Sequence, residues 1–493
     1  MLKTGMISII ALLGACMAHA QGYRITVQLD GVQDSTVLLA VYNGNNKYAR
    51  DTAKTDRKGL AVFAKNTPLA GGMYMLITGH TQLCDFLISD DQSQQFSIHY
   101  KKNGDKPVEI IFKKSPENTA FVDFQKYMGR RQSDARRLRE QAQKDSSFRA
   151  AAADSLFQIA DEEKEYTSGV IKQWNGKLLA TLAKAVQPPP AAPEPEIPAD
   201  HPKRDSIRWV HYFQWEKNHF FDNIDFADAR LLNTPVFQPN FDTYFNTKIA
   251  QHPDTVIAAV HRILDKAKAS DDMFMYCLGH LFNTYIKWKT LTITHDYAIG
   301  MEAVVVDLIN RYYLAGEAPW AEKDTTFMRQ IRDYVRNNRH SLVGLPAHDL
   351  PMQQLTGQQT SLYALQSAYT LLIFFDTNCS HCQKEIPLIY DTYKQYRDKG
   401  LQVFCVYIGR DGPEWQKFVE KHGLDWINAW DPYETTNFRE LYTVQTTPQI
   451  YLLNADKKII ARRVTHDLLE QLLRFYIDKK AIDQPDTDGK ENG

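Results

Sequence analysis

The sequence predicts a multidomain chain in three successive fold classes: an N-terminal all-β, sandwich-like domain, a central α-helical region and a C-terminal α/β domain. Three observations predict it. Between residues 21 and 113 apolar and polar residues alternate, as half-buried strands require. After Ser115-Pro116-Glu117 the apolar spacing changes to three and four, the period of an amphipathic helix. After Gly344-Leu345-Pro346 continuous apolar runs alternate with helical stretches, the pattern of a parallel sheet covered by helices. The chain has 493 residues, room for roughly three domains at about 150 residues each.

Composition narrows the function. Apolar residues make up 43% and charged residues 24%, so the chain folds around buried cores. Fifty-eight Lys and Arg against 59 Asp and Glu leave a net charge of −1, without the basic excess of a nucleic-acid binder. Six cysteines in this length are too few for a disulfide scaffold.

Residues 1–20 read as a secretory leader. Lys3 precedes an apolar run over 6–17, and Ala18-His19-Ala20 supplies the small-residue cleavage site. The run is shorter than the roughly 20 residues a membrane span needs, and no later segment comes close. The mature chain is therefore expected in the periplasm or cell envelope, without a transmembrane segment. Leu13-Gly14-Ala15-Cys16 also resembles a lipobox, which would leave a lipid anchor at Cys16; cleavage after Ala20 is the preferred reading.

The small β domain, 21–113, is built from Tyr23–Leu29 and further short strands over 37–42, 60–63, 74–77, 86–88 and 108–112, punctuated by Asn43-Gly44, Lys58-Gly59, Gly71-Gly72 and Asn103-Gly104-Asp105. A packing or docking role is expected for it. A charged helical segment, 114–187, starts with Ser115 as N-cap and Pro116 at the first helical position. Its arginines (130, 131, 136, 137 and 139) are interspersed with Asp134, Glu140, Asp145 and Asp154, and so read as a solvated face. Residues 188–200 hold six of the 21 prolines, a semi-rigid linker. The helical domain, 201–340, is rich in aromatics (Trp209, Tyr212, Phe213, Trp215, Phe220, Phe221 and Phe226), expected to fill one core. His211 and His219 lack an accompanying ligand set, so no metal is assigned to them. The α/β domain covers 341–480, and 481–493 is a polar tail.

The chemistry lies in the last domain. The apolar run over 369–375 leads directly into Asp376-Thr377-Asn378-Cys379-Ser380-His381-Cys382. A C-x-x-C where a buried strand becomes a helix places Cys379 against unpaired N–H groups and the positive end of the helix dipole, which favour a thiolate. Cys382, one turn in, is close enough to form a disulfide with it. Cys379 is the expected nucleophile and Cys382 the resolving thiol; His381 can add positive charge or a hydrogen bond. A zinc site would need a second Cys or His pair, but Cys84, Cys277 and Cys405 stand singly. A c-type haem would need His where Gln383 stands. A thiol peroxidase ranks last, because Asp376 and Leu372 occupy the places its Thr or Ser and its Pro would take.

These residues resemble the thioredoxin-fold TlpA/ResA-like thiol–disulfide oxidoreductases. The carrying features are Phe374-Phe375, Cys379-Ser380-His381-Cys382, Glu385-Ile386-Pro387 and the distant Thr447-Pro448. The resemblance implies a cis-proline at Pro448 facing the cysteine pair, with Thr447 offering backbone hydrogen bonds to an extended substrate segment; Thr447, Pro448 and His381 are the expected substrate-binding residues. Glu385 matches an acid that tunes or relays the resolving thiol's proton, or is simply a first-turns acid favoured by the helix dipole. The family needs no cofactor beyond the two sulfurs. Its partners are protein clients bearing thiols or disulfides and a membrane electron-transfer protein. Ile373 departs from cytosolic thioredoxin, which has a buried Asp there, and Asn378 replaces the usual Trp. The Ser-His dipeptide is similar to the more oxidising Pro-His type, so reductase and oxidase directions both stay open. The upstream portion resembles, more loosely, modules of unassigned function in bacteroidete envelope proteins. A non-catalytic envelope scaffold that docks clients is the main alternative, and the intact C-x-x-C weighs against it.

Overall fold

The computed structural model describes residues 22–89, 93–104, 106–287 and 300–478; the expected leader with Cys16 and the polar tail lie outside them. The chain forms two compact units, Met1–Tyr244 and Phe245–Gly493, so the cut falls inside the long helical stretch.

The first unit opens with eight strands: β1 (Tyr23–Leu29), β2 (Thr36–Asn43), β3 (Asn46–Lys54), β4 (Leu60–Lys65), β5 (Gly72–Thr78), β6 (Thr81–Ile88), β7 (Gln95–Asn103) and β8 (Lys106–Lys113). They make two four-stranded sheets, ordered β4-β1-β7-β8 and β3-β2-β5-β6. Ile25, Val27 and Ile98 of one sheet share a core with Val37, Leu39, Leu76 and Phe86 of the other, which is the expected sandwich. The β2–β3 hairpin turns at Gly44, with φ +57°, a conformation glycine adopts without a Cβ penalty. Two strands lie outside the sequence expectation. β3 exposes nearly every side chain and so carries no apolar alternation. β7 does alternate, burying Phe96 and Ile98.

Helix α1 (Pro116–Lys144) starts where expected, but the Ser115 hydroxyl accepts from Asn118 Nδ2 at 2.8 Å rather than from a backbone N–H. Glu117 is fully buried: it accepts from Ser89 Oγ at 2.9 Å and, at 2.9 Å, from the N–H of Leu179 in α3 (Leu178–Ala185). Between them, α2 (Arg149–Gln173) packs on α1 through Tyr127 and Tyr166, stacked at 3.8 Å. The arginine face is ion-paired, Arg131 with Glu162 and Arg137 with Asp134.

The proline-rich segment has no helix or strand over 188–198, yet it is not a free spacer. Trp215 Nε1 donates to the Pro190 carbonyl at 2.9 Å, and His211 Nε2 meets that of Pro193 at 2.9 Å. Both rings belong to α4 (Arg204–His219), which buries no residue at all. The expectation that its aromatics fill a core is therefore corrected: Trp209 is 65% exposed and stacks on its helical neighbour Phe213. His219 pairs with Asp222 at 2.6 Å. The core of this part is made by Phe221, Phe226, and Phe237 and Phe241 of α5 (Phe237–Thr243).

The second unit begins with α6 (Pro253–Ala267), α7 (Asp271–Ile286), α8 (Glu302–Leu308), α9 (Pro319–Glu322) and α10 (Thr325–Asn338). Val256, Val260, Ile263 and Leu264 form the buried stripe of α6. The remaining elements are β9 (Met352–Gln354), β10 (Gln359–Thr360), β11 (Tyr369–Phe375), α11 (Ser380–Tyr396), β12 (Leu401–Tyr407), α12 (Gly412–His422), β13 (Ile427–Trp430), α13 (Phe438–Leu441), β14 (Gln449–Asn454), β15 (Ile459–Arg462) and α14 (His466–Tyr476). The seven strands run β10-β9-β13-β12-β11-β14-β15, with β11 parallel to β12 and antiparallel to β14. Leu371, Ile373 and Phe375 face α11, α12 and α14; Leu372 and Phe374 face Phe438 and Tyr442 on the other side. Both faces of β11 are covered, hence its unbroken apolar run. This is the thioredoxin-like α/β domain. The short strands β13, β9 and β10 extend the sheet beyond β12 and end it at β10, an extension that the sequence pattern does not announce.

Candidate active site

The site forms where β11 ends. Asp376 starts a tight turn: its Oδ1 accepts from Asn378 N at 2.9 Å and its carbonyl from Cys379 N at 3.2 Å, the Asx-type geometry that lets a short polar side chain reverse the backbone. Gln383 Nε2 ties the same turn to α11 by donating to the Thr377 carbonyl at 2.8 Å. Sequence reasoning did not single out either brace, although Asp-x-Asn was a readable signal for the first.

Cys379 is the N-cap residue of α11, in extended conformation (φ −83°, ψ 118°), and Cys382 lies in the first turn. Their environments differ sharply. Cys379 is partly exposed, whereas Cys382 is fully buried. Across the site, the Thr447–Pro448 peptide bond is cis, and the Cys379 thiol donates to the Thr447 carbonyl at 3.1 Å. Residues 68 positions apart thus meet.

Electrostatics sharpen the difference. Burial pushes the Cys379 thiol up, but hydrogen bonds from the Thr447 side chain, the Cys382 N–H and side chain, and the His381 N–H outweigh it, leaving the thiol below its ordinary value. Burial pushes the Cys382 thiol up to about 12, opposed by hydrogen bonds at Asp376 and Thr447 and reinforced by the neighbouring Cys379. One sulfur is therefore disposed to be a thiolate and the other to keep its proton. Of the other cysteines, Cys277 and Cys405 are fully buried and Cys84 is partly exposed beside the sandwich core.

The structure brings Cys379, Cys382, Thr447 and Pro448 together. His381 contributes its N–H, while its side chain is exposed. Glu385 follows Cys382 by three residues on α11 and is half-buried. Ile373, where a proton-relaying acid would stand in cytosolic thioredoxin, is fully buried in the helix-facing core.

Comparison with known proteins places two regions. Residues 343–462 match the AhpC/TSA family, and residues 158–287 match a domain of unknown function, DUF5106. The thiol-disulfide oxidoreductase ResA of Bacillus subtilis is 23% identical over 135 residues, covering 27% of this chain and 74% of that protein. Its namesake from Bacillus cereus is 26% identical over 137 residues, covering 28% and 78%. Among solved structures, a domain of a possible thiol-disulfide isomerase from Cytophaga hutchinsonii is 37% identical, covering 28% of this chain and 95% of that one, with a TM-score of 0.27. A thioredoxin-like protein from Bacteroides caccae is 19% identical, covering 58% and 98%, with a TM-score of 0.38.

Proposed function

Since residues 343–462 are an AhpC/TSA-family thioredoxin-like domain of the ResA/TlpA-like kind, carried by a chain with further domains upstream, we propose that the protein is an exported thiol–disulfide oxidoreductase acting on protein clients. The observation that carries the reading is the asymmetry of the pair: a lowered, partly exposed thiol at Cys379 beside a raised, buried thiol at Cys382.

In the reducing direction the Cys379 thiolate attacks one sulfur of a client disulfide. A Cys379–client disulfide forms and the other client sulfur leaves as a thiolate, which takes up a proton. Cys382 then loses its proton and attacks the Cys379 sulfur. The Cys379–Cys382 disulfide closes and the second client thiolate is released. Two electrons pass to the client, and a membrane electron-transfer partner restores the dithiol. Run backwards, the same steps oxidise client thiols. Thr447 and Pro448 present the client's extended backbone, His381 borders it, and Glu385 takes the proton from Cys382. The leader over 1–20 directs the chain to the periplasm or cell envelope, and the β and helical domains hold the client. No helix among the described residues is long and apolar enough to cross a membrane.

The test is turnover of a disulfide-bonded model protein in the presence of a thiol reductant. Cys379→Ser is expected to reduce the rate to that of the reductant alone while the fold persists. Unchanged turnover in that variant would sink the reading.

A further inference from the structure

We infer that Gln449 is a positioning residue for the cysteine pair, and that the turn following α10, residues 338–341, holds it in place from outside the matched family region. Gln449 directly follows Pro448 and is buried. Its Nε2 donates to the Tyr442 carbonyl and to the Tyr451 hydroxyl, each at 2.6 Å. The Tyr451 hydroxyl donates to the same carbonyl, and its oxygen lies 3.5 Å from Ser341 Oγ. Opposite Tyr451 on β15 stands Arg462. Its Nη1 donates to the Ser341 carbonyl at 3.1 Å and its Nη2 to Asn338 Oδ1 at 2.8 Å. Asn338 is fixed in turn by donating to the Tyr334 carbonyl at 2.8 Å, and the Thr443 hydroxyl donates to the Asn337 carbonyl.

Gln449, Tyr451, Arg462, Asn338 and Ser341 are all buried. The Arg462 side chain is only 1% exposed, and Glu302 Oε1 approaches its Nε no closer than 3.8 Å. A guanidinium so placed must find acceptors in the protein, because burying a charge without them is strongly unfavourable. The 338–341 turn supplies two of those acceptors, although the family match starts only at 343. Buried polar networks rigidify what they touch as far as their members are satisfied: both terminal nitrogens of Arg462 have acceptors, whereas its Nε has none, so the 338–341 contacts are the ones that hold the guanidinium. Here the end of the chain of contacts is Gln449, two residues from the Thr447 carbonyl that receives the Cys379 thiol. The redox site is thus supported from behind by the last turn of the upstream helical region. This coupling gains its meaning from the thiol–disulfide reading, but its test needs no client and no disulfide.

The test follows the ultraviolet thiolate absorbance of the fully reduced full-length chain across pH, with the melting temperature as a fold control. Gln449→Met keeps length and removes the donor; Asn338→Leu removes the acceptor of Arg462 without touching the cis-proline turn; Asn338→Asp retains that acceptor. Because the Thr447 carbonyl accepts from the protonated thiol and cannot accept from a thiolate, Gln449→Met and Asn338→Leu are expected to move the Cys379 titration to lower pH, raising the thiolate population about threefold at a pH below the midpoint, on the order of one weak hydrogen bond. Asn338→Asp is expected to titrate like the parent. Parental titration in folded Gln449→Met overturns the positioning role. Parental titration in folded Asn338→Leu overturns the coupling to the upstream turn. Should Asn338→Leu fail to fold, Asn338→Ala, which also lacks the acceptor of Arg462 Nη2 but adds no bulk, takes its place, and parental titration in it overturns the coupling.

Discussion

Replacing Thr447 by Val probes the stabilisation of the Cys379 thiolate where it is most direct. The substitution keeps the branched shape and the backbone carbonyl, which lies 3.1 Å from Sγ, and removes only the hydroxyl. A hydrogen bond to a charged group contributes about 1.5–3 kcal/mol when well sheltered. Both Thr447 and Cys379 are partly exposed, so water competes and about 1 kcal/mol is the reasonable share. That corresponds to about a fivefold smaller thiolate population at a pH below the thiol's midpoint. The assay is the alkylation rate of reduced protein by iodoacetamide across pH. Only the thiolate reacts, so the rate rises as pH climbs through the Cys379 midpoint, and the Val variant's curve lies at higher pH. Cys382 does not contribute, its thiol being pushed up to about 12. Thr446→Val, an exposed neighbour, serves as the control. A Thr447→Val curve that superimposes on the parent's refutes the assignment of this stabilisation to the hydroxyl.

Cys382→Ser leaves the attacking sulfur but no resolving thiol, so mixed disulfides between Cys379 and clients should accumulate; non-reducing electrophoresis of cells producing the variant reads this out, and an absence of adducts counts against the resolving role. Glu117→Ala orphans the Ser89 hydroxyl and the Leu179 N–H in a buried site, at an expected cost of about 3 kcal/mol in the denaturant unfolding of the first unit; a loss below about 0.5 kcal/mol contradicts the capping role. Asp85 is raised by burial to about 6, with Lys47 and a hydrogen bond from Gln82 opposing. The folded state therefore binds the extra proton between the unfolded value and about 6, and above that window the charged carboxylate weighs against folding. Asp85→Asn should raise stability by about 1 kcal/mol at neutral pH, after allowance for partial exposure. The gain should vanish near pH 4, where the parent carboxyl is itself close to neutral; an equal gain at both pH values rules out the electrostatic explanation.

The thioredoxin-like domain was the most legible part of the chain, for a physical reason. A strand covered on both faces must be continuously apolar, and 371–375 is; a C-x-x-C immediately after it can only fall at the start of the next helix. Thr447-Pro448 could be paired with the cysteines only through the family resemblance, because nothing local signals a contact made across 68 residues. The sandwich was legible from alternation, and β7 with Phe96 and Ile98 carried the same signal, whereas the edge strand β3 carried none. What stayed hidden were groups whose partners lie far off in sequence. Glu117 looks like an ordinary first-turn acid yet is buried and caps another helix. Arg462 looks like half of a basic pair yet is held inside the protein by Asn338 and Ser341. Aromatic residues give no sign of which side of a helix meets water, so Trp209 and Phe213 were assigned to a core that lies elsewhere.

The proline-rich stretch carries a consequence beyond connection. Ordering a flexible segment against a helix ordinarily sacrifices about 1–2 kcal/mol of backbone conformational entropy per residue. Proline rings have already restricted the unfolded chain, so much of that loss is incurred before folding begins. Prolines also bring carbonyl acceptors without competing N–H donors, which suits them to receive Trp215 Nε1 at Pro190 and His211 Nε2 at Pro193. A helix that buries none of its own residues is thereby held by a strap whose immobilisation costs little, and the composition that reads as a semi-rigid linker serves as a fastening.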